Sequence, residues 1–179
     1  AVIGIQENNA KCRVIKSDPT KGNKFENLYM GIDAAYYNSS NVLFGNLIQG
    51  NTFNNPLLVT HVPTAIHIDG GKGERIKNNV FGSRDNPLPQ ANNWYGIFVR
   101  NTSFSILDNA FYHNWNAIVC VSSNTAGASI IKNQAAGAGN TITGSRTAIT
   151  TSGNNSRLTI RCNTTDNPNP SEYFVNWDN

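Results

Sequence analysis

The chain has 179 residues, a net charge of +3 and only 14% charged side chains, enough length for one domain with a substantial core. Its Lys and Arg form no run, which excludes the clustered basic face of a nucleic-acid binder, and no stretch reaches the roughly 18–20 consecutive apolar residues of a membrane span. Asn is in conspicuous excess, near one residue in six, yet Ile, Val, Phe and Tyr recur throughout, so the composition is that of strands separated by turns and not of a disordered polar tract.

The first predicted element is a strand at residues 1–5, Ala1-Val2-Ile3-Gly4-Ile5, which lacks the basic flank of a signal peptide and breaks at Gln6-Glu7-Asn8-Asn9. From there three marks return in fixed order. Asn23-Lys24-Phe25 comes first, then a small residue followed by Ile in Gly31-Ile32, then Ile48 three residues ahead of Asn51-Thr52-Phe53. The set returns as Ala65-Ile66, Ile76 and Asn79-Val80-Phe81, and again as Gly96-Ile97, Ile106 and Asn109-Ala110-Phe111. Ala117-Ile118 with Asn140-Thr141-Ile142 follows, then Ala148-Ile149, Ile160 and Asn163-Thr164-Thr165. The Asn residues lie 28, 28, 30, 31 and 23 positions apart, and a period in that range is the mark of a solenoid.

Each mark predicts a strand too short to persist except by stacking on its copies. Ala65-Ile66-His67-Ile68-Asp69 alternates, with Ile66 and Ile68 on one face and His67 and Asp69 on the other. No window carries a helical period, because Gly and Asn interrupt every one. Parallel stacking at about 4.8 Å would put Ile on Ile and Phe on Phe inside the coil, and the usual sense of parallel crossovers makes the coil right-handed. A bend between sheets suits Asn, which tolerates the left-handed region, and stacked Asn side chains can pass hydrogen bonds along the axis. Asn23, Asn51, Asn79, Asn109, Asn140 and Asn163, with Phe25, Phe53, Phe81 and Phe111, are therefore expected to be structural ladders.

The predicted fold class is all-β, a single-stranded right-handed parallel β-helix of about six coils over residues 1–166. The segment 167–179 opens with Asn167-Pro168-Asn169-Pro170 and is expected to lie over the last coil. No amphipathic helix precedes the first coil, so that end is expected to meet a neighbouring domain or a like subunit. Cys12, Cys120 and Cys162 form no metal-ligand spacing and are expected to be small buried residues.

The run I-x-x-N-x-F followed by a small residue and Ile resembles the parallel β-helix repeats of the pectin-lyase-like superfamily, from about Val2 to Thr165. The resemblance implies the architecture but not an activity. That superfamily includes lyases, hydrolases, epimerases, phage tailspikes and noncatalytic surface proteins.

If the repeat is scaffold, function belongs where it is interrupted. Between the end of the Asn-x-Phe mark and the next small-Ile strand, three connections are six positions long, from Phe25, Phe111 and Ile142. Phe53 to Ala65 takes 12 and Phe81 to Gly96 takes 15. Residues 54–64 and 82–95 should therefore protrude side by side as a wall, the second carrying Arg84, Trp94 and Tyr95 as candidate ligand-binding residues. The outward columns beside that wall are Asp33, His67, Phe98, Val119, Thr150 and Ala35, Asp69, Arg100, Val121, Ser152. Asp33, His67, Asp69 and Arg100 are the candidate catalytic cluster.

Arg75-Ile76-Lys77 matches an element of polygalacturonases, but Ile76 is the repeat's own core residue and the companion carboxylate motifs are missing. A lyase would need a Ca²⁺ site, the only cofactor considered, and Asp33 with Asp69 is a thin ligand set for six to eight oxygens. No other metal or cofactor is expected. Glycoside hydrolysis would need the same two carboxylates to face one bond. The sequence leads to a noncatalytic β-helix module of a secreted or cell-surface bacterial protein, a spacer or a binder of polysaccharide or surface glycan. Two alternatives accompany it: a carbohydrate-active lyase or hydrolase, and a structural repeat that assembles end to end.

Overall fold

The computed structural model describes residues 3–8, 13–15, 22–36, 45–54, 63–84, 94–122, 129–132, 139–166 and 173–178. Among these residues every regular element is a strand, and they recur as one long strand followed by two short ones. The first two units are β1 (Ile3–Asn8), β2 (Arg13–Ile15), β3 (Lys24–Glu26) and β4 (Met30–Ala35), β5 (Leu47–Gln49), β6 (Thr52–Asn54). The next two are β7 (Thr64–Asp69), β8 (Glu74–Lys77), β9 (Val80–Phe81) and β10 (Tyr95–Arg100), β11 (Phe104–Leu107), β12 (Ala110–Tyr112). Then come β13 (Asn116–Val121), β14 (Ser129–Lys132), β15 (Thr141–Thr143), β16 (Thr147–Ser152), β17 (Leu158–Ile160), β18 (Thr164–Asp166) and β19 (Tyr173–Asp178).

Like pairs with like. The long strands form a seven-stranded sheet one in the order β1-β4-β7-β10-β13-β16-β19. The second strands of each unit form sheet two, and the third strands sheet three, each of six strands. Every pairing is parallel, so the chain is a parallel β-solenoid. The strand β19 continues sheet one, pairing Val175 with Ile149. No helix among the described residues is long and apolar enough to cross a membrane.

The marks read from the sequence become interior columns. Ile5, Ile32, Ile66, Ile97, Ile118 and Ile149 align in sheet one. Val14, Ile48, Ile76, Ile106, Ile131 and Ile160 align in sheet two, so Arg75-Ile76-Lys77 contributes a wholly buried Ile to the core. Sheet three stacks Phe25 on Phe53, Phe53 on Phe81 and Phe81 on Phe111, with ring centroids 4.7, 5.1 and 4.6 Å apart and planes within 11°. Those separations follow from the strand spacing itself, about 4.8 Å.

The small residue before each sheet-one Ile has a steric cause. A Cβ at Gly31 would lie 2.9 Å from the Phe53 ring and 2.6 Å from the Ala65 carbonyl oxygen, and one at Gly96 would lie 2.9 Å from Phe111 and 2.6 Å from the Ala117 oxygen. Ala117 and Ala148 belong to units whose third strand carries Ile142 and Thr165 in place of Phe.

The Asn ladder forms, but not for both of the reasons expected. Its members hydrogen-bond in series, Nδ2 of one to Oδ1 of the next, at 2.8 Å for Asn23–Asn51, 3.1 Å for Asn51–Asn79, Asn79–Asn109 and Asn109–Asn140, and 2.8 Å for Asn140–Asn163. The second amide hydrogen goes to a sheet-two carbonyl: Asn51 to Val14, Asn79 to Ile48, Asn109 to Ile76, Asn140 to Ile106. None of these Asn residues has a positive φ. The left-handed residue is the one before each of the last five: Gly50, Asn78, Asp108, Gly139 and Cys162, with φ between 49° and 71°. That neighbour turns the corner, and the ladder Asn supplies the buried polar bonding.

Cys120 is fully buried, and burial pushes its thiol pKa well up. Cys162 is exposed, against the expectation of a buried residue, because it occupies the left-handed corner. Cys12 lies outside the described residues.

Candidate functional site

Alternation in sheet one sets the outward columns. Asp33 pairs with His67, His67 with Phe98 and Phe98 with Val119, while Ala35, Asp69, Arg100 and Val121 align two residues further on. The two columns are roughly 7 Å apart, two residues of an extended strand. The pleat and the core-facing Ile residues fix this register, since a one-residue slip would bury the charges.

Within this face the four candidate residues form two cross-strand pairs. Asp33 Oδ1 lies 2.7 Å from His67 Nδ1, with both side chains mostly shielded, 16% and 22% exposed. Arg100 Nη2 donates to Asp69 Oδ2, and Asn101 Nδ2 donates to Asp69 Oδ1 at 3.4 Å. The bond from Arg100 holds the Asp69 carboxyl below the ordinary carboxylate range, and Asp69 in turn raises Arg100. A carboxyl held ionised in this way is unsuited to the general-acid role of a glycosidase, which needs a raised pKa.

An aromatic strip adjoins the pairs. The Tyr95 and Phe98 rings stack with centroids 6.2 Å apart, and His67 tilts against Phe98 at 5.4 Å. All three are half-buried, so each keeps part of its ring surface open. Tyr95 is thus beside the cluster as expected, and Arg84 is exposed at the root of the second long connection.

Trp94 is not on this surface. It is fully buried, turned inward at the corner just ahead of β10, where strand alternation does not govern direction. Its assignment as a surface ligand-binding residue is corrected accordingly. Residues 55–62 and 85–93, expected to form a wall over this face, lie outside the described residues.

Two buried carboxylates escaped the sequence reading. Glu7 is 6% exposed and Glu74 wholly buried. The Tyr36 hydroxyl donates to Glu7 Oε1 at 3.4 Å and accepts from Asn46 Nδ2, while the Asn46 backbone N–H donates to Glu74 Oε2 at 2.8 Å. A signal existed. Glu7 is two residues after core Ile5 and Glu74 two before core Ile76, so alternation alone turns both inward. Among the described residues no three His, Cys, Asp or Glu gather as a metal site.

No family model, no curated protein and no solved structure matches this chain.

Proposed function

We propose that this chain is a noncatalytic module of a secreted or cell-surface protein, a right-handed β-helix of six coils with the architecture of the pectin-lyase-like superfamily. It serves as a rigid spacer and binds polysaccharide or surface glycan on the outer face of sheet one. The observation that carries the reading is the closure of the outward carboxylates Asp33 and Asp69 on partners of the next strand: Asp33 on the His67 imidazole and Asp69 on the Arg100 guanidinium. Neither is left as a free acid or base. The Tyr95, Phe98 and His67 rings offer flat apolar surface for the C–H face of a sugar, with planar polar groups beside them for its hydroxyls.

A lyase or glycoside hydrolase is the second reading, favoured by the 2.7 Å contact between Asp33 and His67 Nδ1, which would orient an imidazole base. A polysaccharide panel incubated with the intact chain, scored for binding, unsaturated products and new reducing ends, separates the two. Binding without turnover, lost in Phe98→Ala, is the expected result. Turnover that disappears in His67→Ala overturns the noncatalytic reading, and a folded chain that binds no member of the panel removes the glycan.

A further inference from the structure

A small cavity of about 10 Å³ lies at the corner between sheets three and one, between the Phe25–Phe53 stack and Gly31, with Asn54, Thr64 and Trp94 on its wall. Two residues of its wall each carry a buried polar atom with no hydrogen-bond partner among the described residues: the Trp94 indole N–H, a donor, and Asn54 Oδ1, an acceptor. An orphaned buried donor and acceptor each cost about 1–3 kcal/mol in a dry site, and native proteins rarely tolerate them. Here one of each belongs to a residue on the wall of the same space, and that space is the size of a single water, about 10–15 Å³.

We propose that this cavity is a binding site for one ordered water molecule, which accepts from Trp94 Nε1–H and donates to Asn54 Oδ1. Its second hydrogen faces the third polar residue of the wall, Thr64. The site has a place in the architecture. Asn54 ends β6 where the first long connection leaves, Thr64 begins β7 where that connection returns, and Trp94 precedes β10 where the second returns. One water thus ties together three of the four roots of the two long connections. It also gives the indole N–H of a fully buried tryptophan the partner that such a group needs.

The test uses the intact chain labelled with ¹⁵N. The Trp94 indole proton, assigned by its disappearance in Trp94→Phe, is expected to show a direct dipolar cross peak to long-lived water. Asn54→Leu, with its backbone amide spectrum preserved, is expected to lose that peak. A crystal structure of the unaltered chain is expected to place one water in hydrogen-bond contact with both atoms, and this reading holds even if the variant does not fold. A dry cavity in the crystal overturns the site. So does a cross peak from the indole to protons of residues 55–62 or 85–93 in place of water, and so does a water peak that Asn54→Leu leaves unchanged.

Discussion

Asn79 and Asn109 are joined twice: the Asn79 side-chain amide donates to Asn109 Oδ1 at 3.1 Å, and the same oxygen accepts the Asn79 backbone N–H at 3.0 Å. One carbonyl oxygen thereby satisfies two donors buried to about 1% exposure, and the arrangement recurs at Asn51–Asn79 and Asn109–Asn140. Removing the Asn79 side chain deprives both donors of Asn51 and the Ile48 carbonyl of their partners. Asn79→Leu should cost about 3 kcal/mol or more, since several buried groups lose their bonds at once. Asn23→Ala, at an exposed member, should cost less than about 1 kcal/mol. Urea midpoints at unchanged m-value measure both, and equal losses at the two positions would show that the ladder is not a buried network.

The steric account of the small-Ile mark predicts that Gly96→Ala destabilises by about 1–3 kcal/mol through overpacking. Shrinking the ring it meets, in Phe111→Leu, should recover part of that loss in the double variant, a coupling readable from a double-mutant cycle. Strict additivity of the two changes would contradict the contact.

The Asp69–Arg100 pair should give a pH-dependent contribution of modest size. Because the hydrogen bond from Arg100 lowers the Asp69 pKa in the folded chain, the contribution is fully present above the unfolded carboxylate value of about 3.9. It is lost as pH falls through the lower folded value. The pair is partly exposed, so Asp69→Asn should cost at most about 1 kcal/mol at neutral pH. The gap between wild-type and variant midpoints should narrow below about pH 4. A gap that is constant across this range would exclude the electrostatic origin.

Thiol reactivity should separate the two described cysteines. In a Cys12→Ser background, exposed Cys162 should react with an aromatic disulfide reagent in the native protein, while Cys120 reacts only after unfolding, being buried with its thiol pKa raised. Two fast native thiols would contradict the burial of Cys120.

Much of this architecture was legible from residue order alone. Three marks in constant sequence gave three strands per unit, and the alternation of Ala65-Ile66-His67-Ile68-Asp69 gave the outward columns that pair Asp33 with His67 and Asp69 with Arg100. Strand interiors are legible because a period of two fixes direction. Corners are not. The left-handed position carries Gly50, Asn78, Asp108, Gly139 and Cys162, a column too varied to stand out beside its uniform Asn neighbour. Trp94 sits at another corner and turns inward, where its size and its place on a long connection suggested the surface. Glu7 falls in the polar run Gln6-Glu7-Asn8-Asn9, which reads as a break, although alternation continued from Ile5 turns it inward, as alternation from Ile76 does Glu74.

The hydrogen bonds of the amide column all run one way, from Asn23 through Asn51, Asn79, Asn109 and Asn140 to Asn163. Side-chain dipoles aligned in this manner add along the axis, as peptide dipoles do in a helix, and each bond polarises the next. The solenoid is therefore electrically directional. Its donors point toward the Asn163 end, where the Asn163 amide closes the series by donating to the Ile131 and Arg161 carbonyls.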